Sequence, residues 1–132
     1  MLGERRLAEY VVEFGMGEKA GIDLPGEEKG ILHPVREWSG VSCSRIAVGQ
    51  GVAVTALQML GVYCAIANDG IRMRPSIVKR VVGQNGVVLY EQQPQELGRP
   101  IKSATAALMC KLLARVTEDG GTGTRARVPG RR

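Results

Sequence analysis

The segment Ala56 to Ala67, Ala-Leu-Gln-Met-Leu-Gly-Val-Tyr-Cys-Ala-Ile-Ala, restricts the fold more than any other stretch of the chain. Thr55 and Gln58 stand in T-x-x-Q spacing, the pattern of a capping box in which each side chain satisfies the other's backbone donor, so a helix begins at Thr55. Leu57, Met59, Leu60, Val62, Tyr63 and Ile66 then place apolar groups nearly all round it. A helix of that kind is buried on every side. Asn68-Asp69-Gly70 closes it with residues that tolerate a left-handed cap. The chain has 132 residues, the length of one domain, and such a chain buries about two-thirds of its unfolded surface. Covering this helix on all faces is hard at that size, which predicts that further layers belong to the fold.

The remaining elements follow from periodicity. Leu7, Tyr10, Val11 and Phe14 fall at i, i+3, i+4 and i+7, with Arg5, Glu9 and Glu13 opposite, so a helix is expected over 3–14, ended by Gly15 and Gly17. Residues 18–37 carry no period, only the turn signal Pro25-Gly26, and are expected to be irregular. A further helical stretch is expected over 38–51. Ser76 to Val82 and Val87 to Tyr90 read as two strands joined by Gly83-Gln84-Asn85-Gly86, a partial hairpin within 73–91. A last helix is expected over 103–118 with Ser103 as N-cap and Met109, Leu112, Leu113 and Val116 as its buried stripe. A glycine-rich loop, 119–124, follows. The class is α+β, a helical layer with a β-hairpin and a helix that backs a sheet.

The chemistry-bearing residues exclude more than they suggest. The formal charge is +5, but Arg125, Arg127, Arg131 and Arg132 carry four of it, and residues 1–119 hold 14 basic and 13 acidic side chains. Four arginines without interleaved aromatics do not make a nucleic-acid surface. Cys43, Cys64 and Cys110 form no C-x-x-C pair, and His33 has no second ligand close by, so no metal is expected. Cys64 and Cys110 lie in apolar helical patterns, where cysteine acts as a small buried hydrophobe. Val48-Gly49-Gln50-Gly51 lacks the glycine at 54 that G-x-G-x-x-G needs, so no nucleotide cofactor is expected. Ser76-Ile77-Val78-Lys79 matches S-x-x-K, but the activation of serine by lysine requires one helical turn between them. In a strand the two side chains point to opposite faces. Ser42-Cys43-Ser44 falls short of S-x-N, and Gly121-Thr122-Gly123 lacks the lysine of K-T-G. The stretch Ile46 to Asn68 is too polar to span a membrane, and Met1 to Arg6 opens directly into a charged amphipathic pattern, so neither signal peptide nor membrane segment is read.

Five segments nevertheless stand in a recognisable order. They are Phe14-Gly15-Met16-Gly17; Gly21-Ile22-Asp23-Leu24-Pro25-Gly26-Glu27 with Gly30-Ile31-Leu32; Val48 to Met59; Ala65-Ile66-Ala67-Asn68-Asp69-Gly70 with Arg74-Pro75-Ser76-Ile77-Val78-Lys79; and Glu118 to Thr124 with Ala126 and Val128. Together they resemble the class B penicillin-binding proteins over about residues 2–130. Ala56 stands where that family commonly has proline, and Arg45-Ile46-Ala47 where Ser-Phe is common.

The resemblance implies a partial penicillin-binding, β-lactamase-like transpeptidase fold, with residues 1–132 as one incomplete domain. It implies a parent that is a peptidoglycan D,D-transpeptidase, anchored in the bacterial inner membrane with this domain outside the cytoplasm. Peptidoglycan stem peptides and β-lactams would be its ligands, and cell-division or elongation proteins its partners. In the family, S-x-x-K and S-x-N precede the segment like Phe14-Gly15, and K-T-G follows the position of Gly130. This chain therefore spans the interval between motifs, and no catalytic, cofactor-binding or metal-binding residue is carried over to it. Two other readings of the residues stay open: a self-contained, non-catalytic binding module built on the same fold, and a stable domain without present activity.

Overall fold

The structure is a computed structural model and describes residues 3–22 and 24–128. Its first helix, α1 (Glu4–Glu13), turns Val11 inward, with Leu7, Tyr10 and Phe14 half-buried beside it. Phe14 N still donates to Tyr10 O at 3.0 Å, and Gly15, at φ +87, reverses the chain. The Arg72 guanidinium lies against Gly15, where a Cβ would stand 2.6 Å from its Cζ, and donates to Glu13 O at 3.1 Å. A cation thus sits on an orphan carbonyl at the helix C-terminus, where the backbone dipoles favour it.

The connection after α1 is less irregular than its lack of period predicts. Ile31–Leu32 forms β1, paired antiparallel with β2 (Val52–Ala53), Ile31 opposite Ala53. Gly30 is required for this approach, because a Cβ there would meet Ala53 O at 2.2 Å. Between β1 and β2 the helix expected over 38–51 is much shorter. A 3-10 turn covers Val35–Glu37, and only Ser42–Ala47 is α-helical (α2). Ser39 N donates to Ser42 Oγ at 2.8 Å just ahead of α2, and Gly49 and Gly51, both at positive φ, end it.

Helix α3 (Ala56–Ala67) begins with the expected capping box: Gln58 N donates to Thr55 Oγ1 at 3.1 Å and Thr55 N to Gln58 Oε1 at 2.8 Å. It packs against α4 (Ser103–Ala114) and against β3 (Arg72–Met73), which pairs antiparallel with β6 (Glu96–Gly98). That pairing is invisible in the sequence, since two- and three-residue strands carry no measurable period. The hairpin is present as β4 (Arg80–Val82) and β5 (Val88–Glu91), with Gly86 N donating to Gly83 O across the turn at 3.0 Å. The strand expected from Ser76 begins only at Arg80.

Burial departs from the expected pattern in one direction. Among the described residues the buried apolar side chains are Val11, Ala65, Ile66 and Ala106. On α3, Leu60 and Tyr63 are 58% and 52% exposed; Leu112 on α4 and Val116 in the 3-10 turn after it, both expected in the buried stripe, are 49% and 42% exposed. Met109 and Leu113 are half-buried. Cys64 and Cys110, expected inside, are exposed as well. α4 and β3 cover part of α3, and Leu60 and Tyr63 lie on the part left bare. Ser103 is the first helical residue rather than the N-cap, which is Lys102; its hydroxyl donates to the Asp69 carboxylate and accepts no cap bond from the helix. The loop after α4 folds back, with Gly121 N donating to Glu118 O and Gly123 N to Val116 O, both at 2.9 Å.

Candidate functional site

The groups that could do chemistry are spread over the surface and tied into local structure. Ser76 to Lys79 lies in extended chain ahead of β4, outside any helix, so no helical turn brings the serine and lysine together. The Ser76 hydroxyl donates to Val78 O at 3.1 Å. Ser42 and Ser44 are occupied at α2: Ser42 Oγ lies 3.1 Å from Ser39 Oγ, and Ser44 Oγ donates to Val41 O at 2.9 Å. His33 Nδ1 stands 3.4 Å from Glu37 on an exposed turn, with Trp38 Nε1 donating to His33 O. Among the described residues no three His, Cys, Asp or Glu side chains cluster to hold a metal. On α1, the Arg6 guanidinium is raised above its ordinary pKa, first by its bond to Glu9 and then by Tyr10, whose ring it overlies at 4.7 Å. That arrangement anchors a charge and activates nothing.

The residues that do converge are those of the recurring motifs, and they converge on one another. Gln58 is 4% exposed and uses its whole amide. Its Oε1 accepts from Thr55 N, while Nε2 donates to Glu18 O at 2.7 Å and to Lys29 O at 2.9 Å. One side chain at the start of α3 therefore ties down both ends of the 18–29 segment. Within that segment Gly21 N donates to both carboxylate oxygens of Glu27, at 3.0 and 3.1 Å, which closes the loop on itself. Arg74 then reaches over it: Nε donates to Gly21 O at 3.0 Å, and its own backbone N to Gln95 O at 2.8 Å. Loop, helix start and the chain after β3 are joined by hydrogen bonds whose donors and acceptors are specific. A second junction forms at the far end of α3. Asp69, at φ +58, receives Ser103 and stands 3.7 Å from Arg99 Nη1, which donates to Asp69 O. Gly70 beside it packs so closely on the chain just ahead of α4 that a Cβ would lie 2.1 Å from Ile101 O.

Two shallow cavities flank the first junction and share Ile22 and Leu24. One, of about 140 Å³, is completed by the Arg74 to Val78 segment with Tyr90 and Gln92; the other, of about 390 Å³, by Pro25 to Glu28, Thr55 and Leu57. The second holds the Thr55 hydroxyl, which accepts from Gln58 N, along with Glu27 and Glu28. Ser76 lines the first, but its hydroxyl is engaged by Val78 O. Reading by residue type missed Arg72, Arg74 and Glu27 as organising groups. Glu27 and Arg74 were signalled only by their place inside the motif segments and Arg72 by nothing, because an arginine in a strand reads as a solvated charge.

Comparison with known proteins follows the same residues. Residues 1–132 match the family model described as the penicillin binding protein transpeptidase domain. Penicillin-binding protein PbpB of Mycobacterium tuberculosis is 37% identical over 135 residues, taking in 98% of this chain and 20% of that protein. Stage V sporulation protein D of Bacillus subtilis is 35% identical over 132 residues, 99% of this chain and 20% of its own length. Among solved structures, penicillin-binding protein 3 of Mycobacterium tuberculosis superposes with a TM-score of 0.86 at 39% identity, over 97% of this chain and 30% of that one, and has also been solved with ampicillin. The chain thus spans about a fifth of the length of these curated relatives.

Proposed function

Because the chain belongs to the penicillin-binding transpeptidase domain family, we propose that it is a scaffold segment of a peptidoglycan D,D-transpeptidase, performing no acyl transfer alone. The observation that carries this is the convergence just described. Gln58 and Arg74 tie the 18–29 segment, closed on itself by Gly21 and Glu27, to the start of α3 and the chain after β3, while Asp69 and Gly70 tie the end of α3 to the chain that enters α4. In such an enzyme a serine alkoxide attacks the stem peptide or the β-lactam carbonyl, and that serine needs an adjacent base. The resemblance puts the serine motif and S-x-N ahead of α1 and K-T-G after Gly130, so residues 1–132 act as one incomplete domain that joins and spaces them. The bare face of α3, α4 and the turn after it supports the same reading: Leu60, Tyr63, Leu112 and Val116 are the surface on which the parent's further layers rest. A self-contained binding module would cover them. Anchoring of the parent in the inner membrane, action outside the cytoplasm, and work alongside division or elongation proteins belong to this proposal as well.

The test is labelling. Incubation with a fluorescent penicillin and denaturing electrophoresis should show no band for this chain, while a relative's whole transpeptidase domain is labelled in parallel. A band that vanishes in Ser76→Ala would overturn the proposal.

A further inference from the structure

We draw no further inference here: the strongest candidate, the β4–β5 ribbon with Val81, Val82, Leu89 and Tyr90 exposed along it, carries nothing because nothing in the structure shows what covers it.

Discussion

Replacing Gln58 by leucine isolates the junction that holds the 18–29 segment. Leucine keeps the helix propensity and roughly the volume, and it removes three hydrogen bonds: from Thr55 N, to Glu18 O and to Lys29 O. A neutral hydrogen bond contributes about 1 kcal/mol net, so the three together contribute about 3 kcal/mol. The carbonyls of Glu18 and Lys29 lose their donor in a part-buried place, which adds to the loss. Against it stands the burial of leucine's extra apolar surface, on the order of 1 kcal/mol. The expected net destabilisation is about 2–3 kcal/mol. Thr55→Ala removes a single cap bond and should cost about 1 kcal/mol. Urea unfolding followed by circular dichroism reads both, and the Gln58 midpoint should fall at least twice as far as the Thr55 midpoint. A Gln58→Glu variant sharpens the test, since a carboxylate can still accept from Thr55 N but meets two carbonyl oxygens where the amide donated. It should be no more stable than the leucine variant at pH 7. If Gln58→Leu and Thr55→Ala cost the same, Gln58 is only a helix cap, and the reasoning about the loop clamp is wrong.

Three further outcomes follow from the same structure. Gly70→Ala must adopt a positive φ and drive a Cβ into Ile101 O, so it should lose about 3 kcal/mol or more, whereas Gly26→Ala, at a similar φ with open space, should lose about 1 kcal/mol in the same urea experiment. Paired Leu60→Lys and Tyr63→Lys substitutions should lower binding of a hydrophobic dye and shift light scattering toward monomer; unchanged values would mean that the α3–α4 face is covered in solution. Arg80→Ala breaks the 2.8 Å pair with Glu91, but both side chains are about half exposed, so the unfolding free energy should fall by less than about 1 kcal/mol.

What was legible in the sequence divides by the kind of signal. The Thr55–Gln58 box, α3 and the hairpin turn were readable because each is a local pattern, completed within a few residues of itself. The lengths of α2 and β4 were not, because hydrogen bonds and glycine geometry at their ends decide them rather than the period within. The β3–β6 ribbon joins residues more than twenty apart in sequence, and no local signal encodes such a pairing. Burial failed on the faces of α3 and α4 that no partner covers: periodicity reports the face a helix wants to bury, and it is silent on whether a partner is present. Leu112 and Val116 fit the stripe by spacing and stand exposed all the same.

The motif residues pose the opposite problem, being easy to recognise and hard to interpret. Gly30 and Gly70 are glycine because a backbone oxygen occupies the place of a Cβ. Gln58 is glutamine because its site needs an acceptor for Thr55 N and two donors for Glu18 O and Lys29 O, a set that the amide supplies and a carboxylate or aliphatic side chain does not. Glu27 is an acceptor for the Gly21 amide, and Arg74 spans Gly21 O while its backbone meets Gln95. Each identity follows from a contact between distant parts of the chain, so a chemical role assigned to these residues by type would have been wrong. Recurrence of such a set marks the joints of a scaffold, and the reaction that the scaffold serves has to be sought in residues whose side chains are left over once those joints are made.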